Sequence, residues 1–189
     1  MLETLKVQLT GISPLLMHNG ALCDPLSKAA KAIKEVSKIR TKTDEHHAEI
    51  MRLEWLGSLY LDEKGRPSIP GTNILSMIVS GARKTKRGKQ AKAGVFDAQA
   101  FYPVIYSGPK DLTKLFEDER FRDVRPVRVG TSRVIRCRPR FAEWGIEVEL
   151  LVSTDIMEVR DVFDAIEAAG MSEGLGDDRP RHGRFTVKR

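Results

Sequence analysis

The residues in this sequence that could do chemistry include glycines and arginines in a segment near the C-terminus, GMSEGLGDDRPRHG at 170–183. Glycine lacks a Cβ, so its backbone amide can approach a ligand closely, and the fork of an arginine matches phosphate geometry. The pattern predicts either an anion-binding loop or a helix C-cap followed by a mobile turn. No helix follows the glycines, so this is not a dinucleotide-binding fingerprint. The candidate binding residues are Gly174, Gly176, Arg179, Arg181, His182 and Arg184.

A second candidate is the basic run RKTKRGKQAK at 83–92, which contains no acidic residue. The run follows a helical pattern, so its cations could simply complement the negative end of that helix. We favour the interpretation that the run attracts the phosphate backbone of a polyanion. The binding residues that it predicts are Arg83, Lys84, Lys86, Arg87, Lys89 and Lys92.

A third basic feature is a stripe of arginines on one predicted strand, since side chains at alternate positions share a strand face. The stripe consists of Arg136, Arg138 and Arg140. We expect Glu147 and Glu149 to neutralise much of it from the other strand of a predicted hairpin, because cross-strand charge pairs are common. Three arginines upstream have no such predicted partners: Arg125, Arg128 and Arg133.

The candidates for catalysis are two loop histidines, His18 and His182, and the loop carboxylate Asp24. A loop histidine could act as a base near a ribose 2′-hydroxyl. However, no nucleophile–base pair stands at an informative spacing, and no carboxylate cluster could hold a pair of metal ions. The two cysteines also lack the spacing of metal ligands. We therefore expect a binding protein without metal or cofactor, in which these three are surface loop residues.

The composition fits one folded domain of 189 residues, because 41% of the residues are hydrophobic. The net charge of +6 raises the expectation of a polyanionic partner. Aromatic residues make up only 6% of the chain, which favours gripping of a backbone over stacking of bases. Two scattered cysteines fit a reducing compartment, and no apolar run reaches the roughly 20 residues of a membrane span. We expect a cytoplasmic protein with no membrane contact.

The elements that must position these residues alternate between strands and helices. A strand is predicted at 4–12, and a helical block at 25–57 looks like an insertion. A β-hairpin follows at 58–69, then a helix that Thr72 or Asn73 could cap. Further along are a hairpin within 127–153, a helix at 158–169 ended by Gly170, and a last strand. Without the insertion the order is β–α–β–β–α–β. This predicts one α+β domain, residues 1–189, with the ferredoxin-like (split βαβ) antiparallel sheet that RNA-binding modules also use.

Three segments resemble the RAMP superfamily of CRISPR-associated proteins, in particular its crRNA-binding backbone subunits. They are LTGISPLLMHNG at 9–20, RPSIPGTNILSMIVSGARK at 66–84 and GLGDDRPRHGRFTV at 174–187. The resemblance implies a ferredoxin-like domain with an inserted helical element that binds RNA or other single strands in head-to-tail stacks. Some members cut target RNA with an aspartate after the first strand, for which Asp24 is the nearest match. A stand-alone phage or prophage relative fits as well as a CRISPR effector subunit.

Three functional hypotheses follow. The first is sequence-tolerant binding of single-stranded RNA or DNA along the phosphate backbone by a head-to-tail multimer. The second is a metal-independent endoribonuclease that uses His18 or His182. The third is a protein-interaction module that mimics a CRISPR backbone subunit and docks on the effector subunits.

Overall fold

A computed structural model describes the backbone of residues 1–189 and every side chain except those of Val129 and Ser132. The chain forms two compact units. The first consists of Met1–Leu15, Leu61–Ser107 and Ala142–Arg189, and the second of Leu16–Tyr60 and Gly108–Phe141. The second unit is thus built from two insertions into the first. That residues 1–189 act as one domain with an insertion at 25–57 stays a prediction.

The strands in chain order are β1 (Leu2–Gly11), β2 (Leu15–Leu16), β3 (Ser68–Pro70), β4 (Val95–Asp97), β5 (Phe101–Pro103), β6 (Arg122–Val129), β7 (Ser132–Phe141), β8 (Gly145–Ser153) and β9 (Phe185–Lys188). The helices are α1 (Lys28–Ser37), α2 (Asp44–Ser58), α3 (Gly71–Arg83), α4 (Gly88–Gly94), α5 (Leu112–Glu117) and α6 (Val159–Ser172). Among the described residues, no helix is long and apolar enough to cross a membrane.

The first unit is organised around a four-stranded sheet in the order β4-β8-β1-β9. All neighbouring strands in it are antiparallel. Helix α3 connects β1 to β4 with β8 between them, and helix α6 connects β8 to β9 with β1 between them. This is the split βαβ arrangement repeated twice. The predicted α+β, ferredoxin-like fold with an antiparallel sheet is therefore confirmed.

The core of this unit lies between the sheet and the two long helices. Leu5, Val7 and Leu9 alternate along β1 and are buried, because side chains in a strand point alternately to its two faces. The two helices pack closely at Gly81, where a Cβ would lie 2.1 Å from the carbonyl oxygen of Ala165. Glycine is therefore required at this crossing.

The second unit combines helices α1, α2 and α5 with the antiparallel hairpin β6–β7. Its core contains Trp55, whose indole N–H donates to the carbonyl oxygen of Phe121 at 2.8 Å. The ring of Phe116 lies edge-on to Trp55, with centroids 5.6 Å apart. A buried tryptophan is stable here because its polar N–H has a partner.

One hairpin prediction is wrong, and a second is confirmed only in part. The Arg-rich strand β7 pairs with β6, whereas β8 pairs with β1, so the two strands predicted as one hairpin lie in different sheets. The apolar side chains of β8 lie beside Leu5 and Val7 of β1 on the buried face of the sheet. The alternating arginines of β7 could not form this apolar face. The hairpin predicted at 58–69 is reduced to one bridge, between Leu61 and Pro67, and β3 pairs with β5 instead.

Two helix ends also differ from the prediction. Helix α3 has Pro70 as its N-cap residue, two positions before Thr72. Helix α6 continues through Gly170 to Ser172, so Gly170 does not end it. Gly170 instead gives room for the close approach of Phe185, whose carbonyl oxygen would lie 2.4 Å from an added Cβ. Gly174, with φ +74°, follows the helix end, as a C-terminal glycine often does.

Candidate nucleic-acid interface

The basic run 83–92 is folded, and it forms the end of α3, a tight turn and most of α4. The amide of Arg87 donates to the carbonyl oxygen of Ala82 at 2.9 Å, which closes the turn. Lys86 within it has φ +62°, in the left-handed region that disfavours residues with a Cβ. Ala91 is buried and anchors α4, while all six cations of the run are exposed.

Ion pairs divide these six cations into two groups. Lys84 Nζ lies 2.8 Å from Oε1 of Glu173, and Arg87 pairs with Asp161. Within the described part of the chain, the remaining four have no ion-pair partner: Arg83, Lys86, Lys89 and Lys92. Their charge is therefore not cancelled locally.

The four unpaired cations line one groove of ≈ 530 Å³, between α3 and α4, whose other walls are Val79 and Gly88. Four like charges around one concave surface raise the local concentration of anions. We call this feature the cationic groove. It offers Coulomb attraction and lysine and arginine donors, the groups that neutralise phosphates.

The glycines of the C-terminal segment close a loop. The amide of Leu175 donates to the carbonyl oxygen of Gly183, and the amide of Gly183 donates to that of Pro14, both at 2.8 Å. The amide of Gly174 donates to Ala169 at 2.9 Å. A Cβ on Gly183 would lie 1.7 Å from the carbonyl oxygen of Leu175. The amides of Gly174 and Gly183 thus serve the fold.

The charges of this loop are mixed. Arg179 and Arg181 are exposed. A cavity of ≈ 390 Å³ beside Arg179 and Gly176 is lined by three carboxylates, Glu173, Asp177 and Asp178. Carboxylates repel phosphate, so this side of the loop is a weaker anion site than the cationic groove. The Lys84–Glu173 pair brings the start of the loop next to the basic run.

The remaining predicted residues of the loop are largely buried. His182 is 6% exposed, and its Nδ1 lies 2.9 Å from Oδ2 of Asp178, without the angle of a hydrogen bond. Arg184 is half-buried, and its amide donates to Ser13 Oγ at 2.9 Å.

The three candidate catalytic residues do not come from one unit. His182 belongs to the first unit, and His18 and Asp24 to the second. His18 Nδ1 lies 3.4 Å from Ser58 Oγ, and Asp24 accepts the amide of Leu26 at 2.8 Å. Among the described residues, no group of three or more potential ligands could hold a metal ion.

The arginine stripe on β7 has different partners from those expected, so its predicted pairing with Glu147 and Glu149 is wrong. Arg136 pairs with the buried Glu54 of α2, and Arg138 lies 2.8 Å from the buried Asp123 of β6. Asp123 also lies 2.6 Å from Arg125. If the predicted hairpin had begun at Arg122, Asp123 would have been recognised as the residue opposite Arg138. No local sequence pattern connects Glu54 to Arg136.

The tip of the β6–β7 hairpin is a basic surface formed by two of the three arginines for which no partner was predicted. The register places Arg128 directly opposite Arg133, and both are exposed. Like charges directly opposite each other destabilise an antiparallel pair. Ile135 beside them is 58% exposed. An anionic ligand would relieve this repulsion, so the tip is a second candidate contact.

The fold and the cationic groove together define an α+β protein with a ferredoxin-like unit and a concave anion-attracting surface. No protein-family model matches the chain, and no curated protein matches it. A similar solved structure is Cmr6 from Pyrococcus furiosus, with 100% of this chain and 99% of that chain covered, 10% identity and a TM-score of 0.43. Both values are too low to carry an argument, so membership in the RAMP superfamily stays a prediction.

Proposed function

We propose that this protein binds single-stranded nucleic acid along its phosphate backbone and with little sequence preference. The observation that carries the proposal is the cationic groove, in which Arg83, Lys86, Lys89 and Lys92 have no acidic partner among the described residues. Cations that contact phosphates release counterions from the strand, and this supplies affinity that does not depend on sequence.

The open face of the sheet is a less suitable surface for phosphates. RNA-binding modules with a four-stranded sheet stack bases on aromatic side chains of that face. Here the face carries Phe96, but also Glu147 and Glu149, opposite Gln8 and Lys6. Lys6 Nζ lies 3.5 Å from Glu149 Oε2, so its charge is partly cancelled. The helical side with the cationic groove is therefore the better candidate.

The sequence resemblance supports two finer parts of the proposal. Copies of the protein coat the strand head to tail, and subunits of a CRISPR-type effector are further partners. The complex forms in the cytoplasm, which the two scattered cysteines favour. The hairpin tip of the second unit, with Arg128 and Arg133, is a separate candidate for contact with phosphates. Metal-independent cleavage is the weaker alternative, because His182 is buried beside Asp178.

Fluorescence anisotropy with labelled single- and double-stranded RNA and DNA, over a series of salt concentrations, tests the proposal. The variant Lys86→Gln, Lys89→Gln, Lys92→Gln removes three charges from the groove. Because each phosphate contact on a single strand contributes about 0.7 to the slope of log K against log salt, the slope should fall by about 2. Size-exclusion chromatography of the complexes tests for the multimer.

The matched control is Lys6→Gln, Lys64→Gln, Lys188→Gln, which removes the same charge from other exposed positions of the first unit. We expect the control to keep a slope close to that of the wild type. An affinity that does not change with salt, or equal losses in the two variants, would contradict binding in the groove.

A further inference from the structure

The cationic groove continues into a second chamber of ≈ 570 Å³ along the outer side of α3. The two spaces share three lining residues, Val79, Arg83 and Lys92. The second chamber contains no further cation, and aliphatic side chains of Leu75 and Val95 line it with Val79. The two spaces therefore form one groove with a charged end and an apolar end.

Hydroxyl groups edge the apolar end. Thr72, Ser76 and Ser80 line it at a spacing of four residues, which places them along one face of α3. A hydroxyl both donates and accepts hydrogen bonds, so it can meet the edge of any base. The aliphatic walls could therefore contact the flat face of a base, and the hydroxyl groups could bond to its edge, without selecting one base over another.

The shared cations determine what can occupy the chamber. A phosphate held between Arg83 and Lys92 would stand at the junction of the two spaces, and the nucleoside attached to it would extend into the apolar end. The volume of the chamber lies within the range of small-molecule sites, about 300–1,000 Å³. Charge at one end and aliphatic walls at the other thus complement a nucleotide.

We infer that the apolar chamber beside α3 seats one nucleobase of the bound strand, so that the protein selects unpaired nucleotides over a duplex. This inference rests on the proposed function, because the phosphates in the cationic groove hold the strand in place. A base in a duplex must be unpaired and unstacked before it can enter such a pocket. The low aromatic content does not prevent this contact, because the walls are aliphatic.

The test compares three labelled DNA probes of about 16 nucleotides, a length that suits single-strand-binding folds. One is a normal single strand, one an abasic single strand with the same phosphates, and one the duplex. We expect the abasic strand and the duplex to bind about tenfold more weakly than the normal strand, a difference of about 1.4 kcal/mol. The variant Leu75→Ala removes an aliphatic wall that belongs to the second chamber and not to the cationic groove. It should reduce this difference to about threefold, while its affinity for the abasic strand stays unchanged.

The control variant Leu151→Ala truncates a half-buried leucine elsewhere in the first unit, and it should keep the full difference of about tenfold. Equal affinity of the wild type for normal and abasic strands would overturn the inference and leave the proposed function intact. If the wild type bound the duplex as tightly as the normal single strand, this too would overturn the inference and leave the proposed function intact. It would indicate that the chamber has another occupant, such as an apolar side chain of a protein partner. Absence of salt-dependent binding to all three probes would overturn both.

Discussion

Glu54 is the residue whose replacement most directly tests how the second unit is held together. Glu54 is 5% exposed. Its carboxylate accepts the amide of Cys137 at 2.8 Å and pairs with Arg136. It thereby joins α2 to β7. The substitution Glu54→Ala leaves a buried amide without an acceptor and a guanidinium without its counter-charge.

The expected loss of stability follows from these two contacts. An unsatisfied buried N–H costs about 1–3 kcal/mol, and removal of one partner from a buried ion pair costs about 3–5 kcal/mol in all. Arg136 is 37% exposed and can regain water, so we expect a value near the lower end, about 3 kcal/mol. Glu54→Gln keeps an acceptor for the amide of Cys137 and should lose about half as much.

The assay is urea unfolding followed by the fluorescence of Trp55. The chain has two tryptophans, of which Trp144 lies in the first unit and Trp55 in the second. All variants therefore carry Trp144→Phe, so that the signal reports the second unit alone. The matched control is Glu49→Ala on the same helix, which removes a surface pair with Arg52 at 2.7 Å and should cost less than about 1 kcal/mol. If Glu54→Ala costs no more than Glu49→Ala, the buried contacts do not stabilise the unit as argued.

Three further predictions concern other positions. Lys86→Gly should keep or raise the free energy of unfolding, by up to about 1 kcal/mol, because it relieves the positive φ of +62°; it should weaken binding in the anisotropy assay. Burial, with a smaller effect of Glu54, raises the pKa of the Cys137 thiol to about 11, so at pH 8 a thiol reagent should modify Cys23 and spare Cys137 until urea unfolds the chain. The same shift should reduce stability between pH 9 and about pH 11, because the unfolded chain loses this proton first. Gly81→Val should destabilise the first unit by several kcal/mol in urea unfolding, because its side chain would collide with Ala165, whereas Gly20→Val, where no atom lies within 4 Å, should cost far less.

The fold could be predicted because its signals are local. The alternation of Leu5, Val7 and Leu9 marks β1, and the apolar spacing of Ile74 and Ile78 marks α3. The pairing of strands is not local. Strand β8 has its partner about 140 residues earlier in the chain, and the sequence pattern of a strand is the same whichever strand it joins. The order of elements therefore predicted the architecture correctly, while the Arg-rich strand was assigned to the wrong sheet.

The candidate site was only partly predictable, because the sequence does not show which of its cations are paired with carboxylates in the folded chain. Six cations of the basic run were evident from the sequence, yet two of them meet carboxylates contributed by α6 and its end, Asp161 and Glu173, which are more than 70 residues away. One of the predicted glycines of the loop is likewise used within the protein, because the amide of Gly174 donates a hydrogen bond to the carbonyl oxygen of Ala169 at the end of α6. A count of charges and glycines therefore overestimates the binding surface. The four cations that remain without partners among the described residues line one groove, and a test of function should begin with Arg83, Lys86, Lys89 and Lys92.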